Sequence, residues 1–188
     1  MLQIGKVNKL IVNSKGSDGY SLKPQESDEP IFLPLRHAKK EHKKGEELDV
    51  FVYIDTNTER LLASEDIPKA QVGEYACLQV VEAPEFGAFL DWGLEKDLLV
   101  PGNEQKVKLR VDEWALVKVC LEEGTNRIYG TTKLGKHLLN TEFDIEEKSK
   151  VEIVPVEESD LGYRSIINKK YIGMLYKSEV FEKVQLDK

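Results

Sequence analysis

The sequence predicts an all-β chain built from small five-stranded barrels in tandem, with a third barrel left incomplete. Three observations carry this expectation. Short runs in which apolar and polar residues alternate recur along the chain, bounded by Gly, Pro, Asn or Asp, and no strong helical period interrupts them. One order of these runs occurs twice at a nearly constant offset, with Ile4-Gly5 answered by Val72-Gly73, Gly19 by Gly87, and Phe32-Leu33-Pro34 by Leu99-Val100-Pro101. A self-match of this kind marks two copies of one unit. The same order then starts a third time and stops short of its last two strands.

In the first copy, Leu10 and Val12 alternate with Lys9, Ile11 and Asn13 as a strand with one apolar face, and the chain turns at Gly16-Ser17-Asp18-Gly19. Tyr20-Ser21-Leu22 is the second strand. A polar loop dense in breakers, Pro24 to Pro30, leads to the third strand, Ile31-Phe32-Leu33-Pro34. A basic tract from Arg36 to Lys44 precedes the alternating run Leu48 to Ile54, and Asn57 turns the chain into Leu61-Leu62-Ala63. In the second copy, Trp114 to Leu121, a turn at Gly124-Thr125-Asn126 and the run Arg127 to Thr131 supply the last two strands. Five strands joined by short turns read as a closed barrel of the OB type. Asn140 to Lys150, rich in Glu and Lys, reads as a linker. Beyond it, Val151 to Val156, the segment around Leu161-Gly162-Tyr163 and the run Gly173 to Tyr176 give three strands of a third copy. The domains expected are therefore 1–66, 67–138 and 139–188, the last a partial OB barrel and the whole a fragment. Three strands leave two edges of unpaired backbone groups, and the apolar face of Ile153, Ile166, Ile167 and Leu175 is expected to lack its own covering strands, leaving this segment the least stable unless another chain or an earlier barrel covers it.

Composition narrows the function. With 40% hydrophobic and 32% charged residues, neither disorder nor a membrane span is indicated, and without a long apolar N-terminal core the default location is the cytoplasm. A formal net charge of −7 argues against tight binding to duplex DNA or an anionic membrane, both of which require clustered positive charge. Single-strand binding stays compatible, because aromatic surface supplies part of that affinity. Cys77 and Cys120 lie far apart in apolar strands and read as small core residues. His37 and His42 are poorly spaced for one helix face and have no adjacent carboxylate pair to complete a metal site. No nucleophile-base arrangement, glycine-rich phosphate loop or metalloprotease helix is present, so neither an enzyme nor a cofactor is expected.

The stretch most informative about function is Phe86 to Glu104, FGAFLDWGLEKDLLVPGNE. A strand's period of two would put Phe86 and Phe89 on opposite faces. Gly87 could support a bulge or sharp coil that brings both rings to one surface, where they would form a stacking platform for unpaired bases. Read instead as core residues, the same rings would fill a barrel with no ligand.

This segment resembles strands two and three of the RNA-binding domain named after ribosomal protein S-one, in which a Phe-Gly-x-Phe-Val strand is followed by Gly-Leu-Val-His-x-Ser-Glu. Glu104 matches the final Glu and Pro101 stands at the His, while in the third copy Gly173-Met174-Leu175-Tyr176-Lys177-Ser178-Glu179 follows the second pattern with Tyr176 at the His. Over its whole length the chain resembles the bacterial conserved virulence factor B family, which strings three such barrels before a winged helix. That resemblance implies that the end of barrel three and the winged helix are missing here. It also implies RNA contacts at Phe86, Phe89, Glu123 and Arg127, with Pro101 offering no hydrogen-bond donor.

In the third copy Leu161 and Arg164 replace the two phenylalanines, but Tyr163, Arg164, Tyr171 and Tyr176 with Lys169 and Lys170 make a basic and aromatic mixture suited to single strands. The first copy has only Tyr20 of this kind on strand two. Its candidate contacts are Lys39, Lys40, Lys43 and Lys44, within the run that also holds Arg36, His37 and His42, and the competing reading is a solvated loop. The function expected is an RNA-binding regulator of gene expression that holds single-stranded RNA on tandem OB faces. The alternative is a protein-binding adaptor on the same folds.

Overall fold

The structure is a computed structural model that describes residues 2–24, 30–138 and 143–186. The polar loop expected between Pro24 and Pro30 lies outside the described residues at 25–29, as does the start of the expected linker at 140–142. The chain divides into two compact units. The first holds Met1–Val72 with the loops Gly93–Lys96 and Leu121–Ile128, and the second holds Gly73–Trp92, Asp97–Cys120 and Tyr129–Lys188.

In the first unit, β1 (Lys6–Lys15), β2 (Gly19–Lys23), β3 (Ile31–Pro34), β4 (Glu47–Ile54) and β5 (Leu61–Ser64) form a closed barrel in the order β1-β2-β3-β5-β4. Four of its ladders are antiparallel, and the parallel pairing of Phe32 with Leu62 joins β3 to β5. Period-two alternation sends Leu10 and Val12 of β1 inward to meet Leu48, Val50 and Val52 of β4, and Tyr20, Leu22, Ile31, Leu33 and Ala63 complete the core. Each large aliphatic side chain buried this way contributes roughly 1.5–3 kcal/mol.

The second unit contains β6 (Tyr75–Glu82), β7 (Gly87–Asp91), β8 (Leu98–Pro101), β9 (Trp114–Leu121) and β10 (Ile128–Thr131), ordered β10-β9-β6-β7-β8. Its edge strands come close to closing the ring: a Cβ on Gly130 of β10 would lie 2.8 Å from Val100 Cγ2 and 3.0 Å from Leu98 Cδ2 of β8. A single helical turn, α1 (Gly135–Leu138), leads toward β11 (Ile153–Glu158), β12 (Gly162–Ile167) and β13 (Tyr171–Tyr176), a three-stranded antiparallel sheet. The apolar face of this sheet is covered in part by the preceding barrel, the alternative that the sequence leaves open. Val156 and Ile166 share a buried cluster with Tyr75, Cys77, Leu116 and Leu134, and the Tyr75 N–H donates to the Lys169 carbonyl at 2.7 Å. Ile153, at the far end of the face, keeps 40% of its surface exposed.

The three copies share one local construction. Gly19, Gly87 and Gly162 open the second strand of each and pair with Pro34, Pro101 and Tyr176 of the third. A Cβ at Gly87 would stand 2.8 Å from the Val100 carbonyl oxygen, and Cβ atoms at Gly19 and Gly162 would collide with the carbonyl oxygens of Leu33 and Leu175. A 3-10 turn follows each third strand, at Leu35–His37, Gly102–Glu104 and Lys177–Glu179. The first N–H of each turn donates back across the pair, from Leu35 to Asp18 O at 3.0 Å, Gly102 to Phe86 O at 2.9 Å and Lys177 to Leu161 O at 3.1 Å. The first strands are alike too, because β1, β6 and β11 each skip a residue in their pairing with the next strand, between Val12 and Ser14, Val80 and Glu82, and Pro155 and Glu157. Gly87 therefore serves close packing, and the bulge expected beside it lies across the ladder in β6.

Replacing Gly87 by Ala is expected to lower unfolding free energy by about 1–3 kcal/mol, because the new methyl meets a backbone carbonyl that cannot move aside cheaply. Gly135→Ala, where nothing lies within 4 Å of the added atom, is the control. Urea melts decide: a fall in midpoint at constant slope is expected for the first variant only, and equal midpoints would refute the packing role.

Candidate nucleic-acid interface

Phe86 and Phe89 reach one surface by a turn. The Gly87 N–H donates to the Pro84 carbonyl at 3.2 Å, so Phe86 sits in the turn before β7 and is released from the strand's alternation. Phe89 lies within β7, opposite Leu99 of β8 and Glu82 of β6, while its neighbours Ala88 and Leu90 are fully buried inside. The ring centroids are 6.0 Å apart with planes at 84°, an edge-to-face pair. Phe86 leaves 64% of its surface exposed. Two aromatic rings fixed against each other at a barrel surface, one of them open to solvent, have the form on which an unpaired base can stack. Pro101, half-buried opposite Gly87, adds apolar surface and no donor.

The turn bearing Glu123 and Arg127 is held by Glu122 N–H to Arg127 O at 2.9 Å and Asn126 N–H to Glu122 O at 3.0 Å, with Asn126 in the left-handed region at φ 55°. It groups with the first unit, where the Arg127 guanidinium lies 4.0 Å from Glu59.

In the third sheet, the register of β12 with β13 places Arg164 opposite Met174 and Tyr163 opposite Leu175, so the alternation of the strand separates Tyr163 from Arg164 and Tyr176. The Lys177 ammonium lies 5.7 Å from the centre of the Tyr163 ring, and Arg164 pairs with Glu157 at 3.1 Å. Tyr171 is 5% exposed, stacks against Phe143 at 5.1 Å and is hydrogen-bonded to Asp144, which also pairs with Lys170 at 3.1 Å.

The tract from Arg36 to Lys44 is laced with acids supplied by other segments. Glu95 lies 3.0 Å from Arg36 and 3.3 Å from His37, Asp66 lies 3.6 Å from Lys39, and Glu46 lies 3.1 Å from Lys40. His42 is buried against the edge of the Tyr20 ring, with Glu46 3.1 Å from one ring nitrogen and Glu65 2.8 Å from the other. Burial opposes charge on His42, but hydrogen bonds and attraction from Glu65 and Glu46 outweigh it and raise its pKa. A backbone hydrogen bond from Lys43, then contacts with His42 and Lys40, hold the Glu46 carboxyl down at about 2. Burial, then the adjacent Arg36, push His37 the other way. Lys43 and Lys44 are the members of the tract whose ammonium groups have no acidic partner among the described residues.

Because the His42 pKa is raised on folding, its contribution is complete below its ordinary value of 6.5 and is lost as pH rises through the folded value. The Glu46 contribution is complete above 4.5 and is lost as pH falls toward about 2. The protection factors of the Leu10 and Val50 amides, which divide out the intrinsic base-catalysed exchange at each pH, are expected to be highest between these limits and to fall on the alkaline side, the fall being an acceleration beyond base catalysis. His42→Gln should remove the alkaline acceleration, and its persistence in that variant would assign the dependence to another group.

A family model of the S1 domain matches residues 4–64, the span of the closed barrel. This is the copy with the fewest stacking aromatics, so the match follows the barrel framework and not the candidate platform at Phe86. Among solved structures, the chain is similar to a multidomain protein with nucleic acid binding domains from Streptococcus pneumoniae TIGR4, at TM-score 0.57 and 14% identity, over 97% of this chain and 66% of that one. It thus spans just under two-thirds of that neighbour's length. Drosophila Unr CSD456 aligns over 68% of this chain and 61% of that one at 13% identity, with a TM-score of 0.27. No curated protein matches the sequence. No helix among the described residues is long and apolar enough to cross a membrane. The chain is similar to the S1 domain over its first barrel, and over 97% of its length it shares its fold with the streptococcal protein.

Proposed function

We propose that this chain binds single-stranded RNA, with the edge-to-face pair of Phe86 and Phe89 as its base-stacking platform, and that it acts as a cytoplasmic regulator of gene expression of the conserved virulence factor B type. The observation that carries the reading is the exposed Phe86 ring fixed by Phe89 at the head of β7. The S1 match on the first barrel and the likeness to a protein named for its nucleic acid binding domains support it. A net charge of −7 fits a binder whose affinity comes from stacking and a few local cations, since a long-range field would repel the ligand. Arg164 and Tyr176 on the third sheet, and Arg127, Glu123, Lys43 and Lys44 on the first unit, are assigned as additional contacts. Lys39 and Lys40 contribute less because Asp66 and Glu46 already face them. Tyr163 makes a separate contact on the other side of β12. Weak sites linked along one chain reinforce each other through effective concentration.

Filter binding to one oligonucleotide made as RNA and as DNA tests both layers of the proposal. Stacking on an aromatic ring is worth roughly 1–3 kcal/mol per base, so Phe86→Ala with Phe89→Ala is expected to weaken RNA binding at least about tenfold while the circular dichroism spectrum holds. Unchanged affinity in that folded variant would sink the platform. Equal affinity for the two oligonucleotides would keep the platform and overturn the preference for RNA.

A further inference from the structure

Apart from Lys43 and Lys44, the positive charge legible in the sequence is paired in the structure, and a group of cations without acidic partners lies elsewhere. The Arg36–Lys44 tract meets Glu95, Asp66, Glu46 and Glu65 at salt-bridge distance. On the second unit, by contrast, a cleft of about 380 Å³ is lined by Lys106, Lys133, Lys136 and Arg164, cations brought together from three separate stretches of the sequence. Lys106 follows the 3-10 turn after β8, Lys133 follows β10, Lys136 stands on α1 and Arg164 on β12. The backbone that presents them is pinned. Lys106 N–H donates to Thr132 Oγ1 at 2.7 Å, Thr132 N–H to the Glu104 carbonyl at 3.1 Å, and Lys133 N–H to Thr131 Oγ1 at 3.1 Å.

The ammonium groups of Lys106, Lys133 and Lys136 have no acidic partner among the described residues, and Arg164 shares only the half-exposed Glu157. Converging like charges repel, and that repulsion is relieved by an anion placed among them. At the adjacent His137, burial and then Lys118 lower the pKa against the pull of Glu104, and Lys136 adds a smaller push in the same direction. Buried Leu134 and half-buried Leu138 add apolar wall beneath the cationic rim. A fully hydrated free anion gains nothing from such a wall, whereas a nucleotide presents phosphate to the rim and sugar or base to the apolar surface.

We infer that this cleft is a second nucleic-acid contact on the unit that carries Phe86 and Phe89, taking the phosphodiester backbone of a single strand with Lys106, Lys133 and Lys136 as its phosphate ligands. The inference rests on the single-strand reading above, but the two sites have separable signatures. Aromatic stacking releases few counterions. Each neutralised phosphate on a single strand contributes about 0.7 to the slope of log affinity against log salt.

Filter binding of the full chain to a single-stranded RNA oligonucleotide across a salt series therefore distinguishes them. Lys106→Gln, Lys133→Gln and Lys136→Gln together are expected to flatten the slope by about 2, and Lys133→Gln alone by about 0.7. Lys9→Gln with Lys15→Gln, whose ammonium groups pair with Glu47 and Glu41 and which belong to neither site, should leave the slope near its parent value, and the double Phe variant should lose affinity at constant slope. A parent-like slope in the triple variant would overturn the cleft assignment whatever the phenylalanines do. A flattened slope alongside a silent Phe variant would retain the cleft and reject the stacking platform. Displacement of the RNA by oligoglutamate at matched charge concentration would also overturn the inference, assigning the cleft to acidic peptides.

Discussion

The contact on which the architecture depends is the approach of a second-strand glycine to the backbone of the third strand. At Gly19, Gly87 and Gly162 the space a side chain would fill is taken by a carbonyl oxygen of the partner strand, so the two strands close up at that end. The tight end is then locked by a 3-10 turn whose first N–H reaches back to the residue before the glycine. That residue is Asp18, Phe86 or Leu161, and it is thereby placed in a turn and outside the alternation of the sheet. In the second copy the same backbone device that shapes a barrel corner lifts Phe86 onto the face of Phe89. Framework and candidate surface are thus one construction, and what varies among copies is the side chain put at the lifted position.

Much of the framework was legible because it is written in short-range pattern. Alternation identified the strands around Leu10, Val50, Leu90 and Val117, and the constant offset between copies paired Gly5 with Gly73, both of which adopt left-handed backbone at φ 74° and 92°. The convergence of Phe86 and Phe89 was also legible, but for a different cause. The glycine between two aromatics suggests a bulge or a sharp coil, and the structure has the coil, a turn at Phe86, while the register shift belongs to β6 and is encoded by pairing partners that no local pattern reveals.

Electrostatics was the least legible level, because charge is local in the sequence and pairwise in space. Arg36 to Lys44 reads as a cationic run, yet its neutralising partners Glu65, Asp66 and Glu95 stand more than twenty residues downstream. The cleft of Lys106, Lys133, Lys136 and Arg164 shows the reverse. None of these residues has a lysine, arginine or acid beside it in the sequence, and only the folding of the second unit makes them a group. Cover by an earlier barrel could be foreseen, but the side chains that supply it over Ile166 could not, since Tyr75, Cys77 and Leu116 belong to strands that read as self-sufficient.

That shared cluster separates two ways of counting. By ancestry of pattern the chain has three copies, but by cohesion it has two bodies, with the third sheet joined to the second barrel through Val156, Ile166 and the bond from Tyr75 to Lys169. Cooperative opening follows buried contact, not repeat number. The elements on either side of the segment read as a linker, rich in Glu and Lys, are accordingly packed together. A load on either the second barrel or the third sheet therefore meets a single mechanical partner, whose two halves yield or hold together.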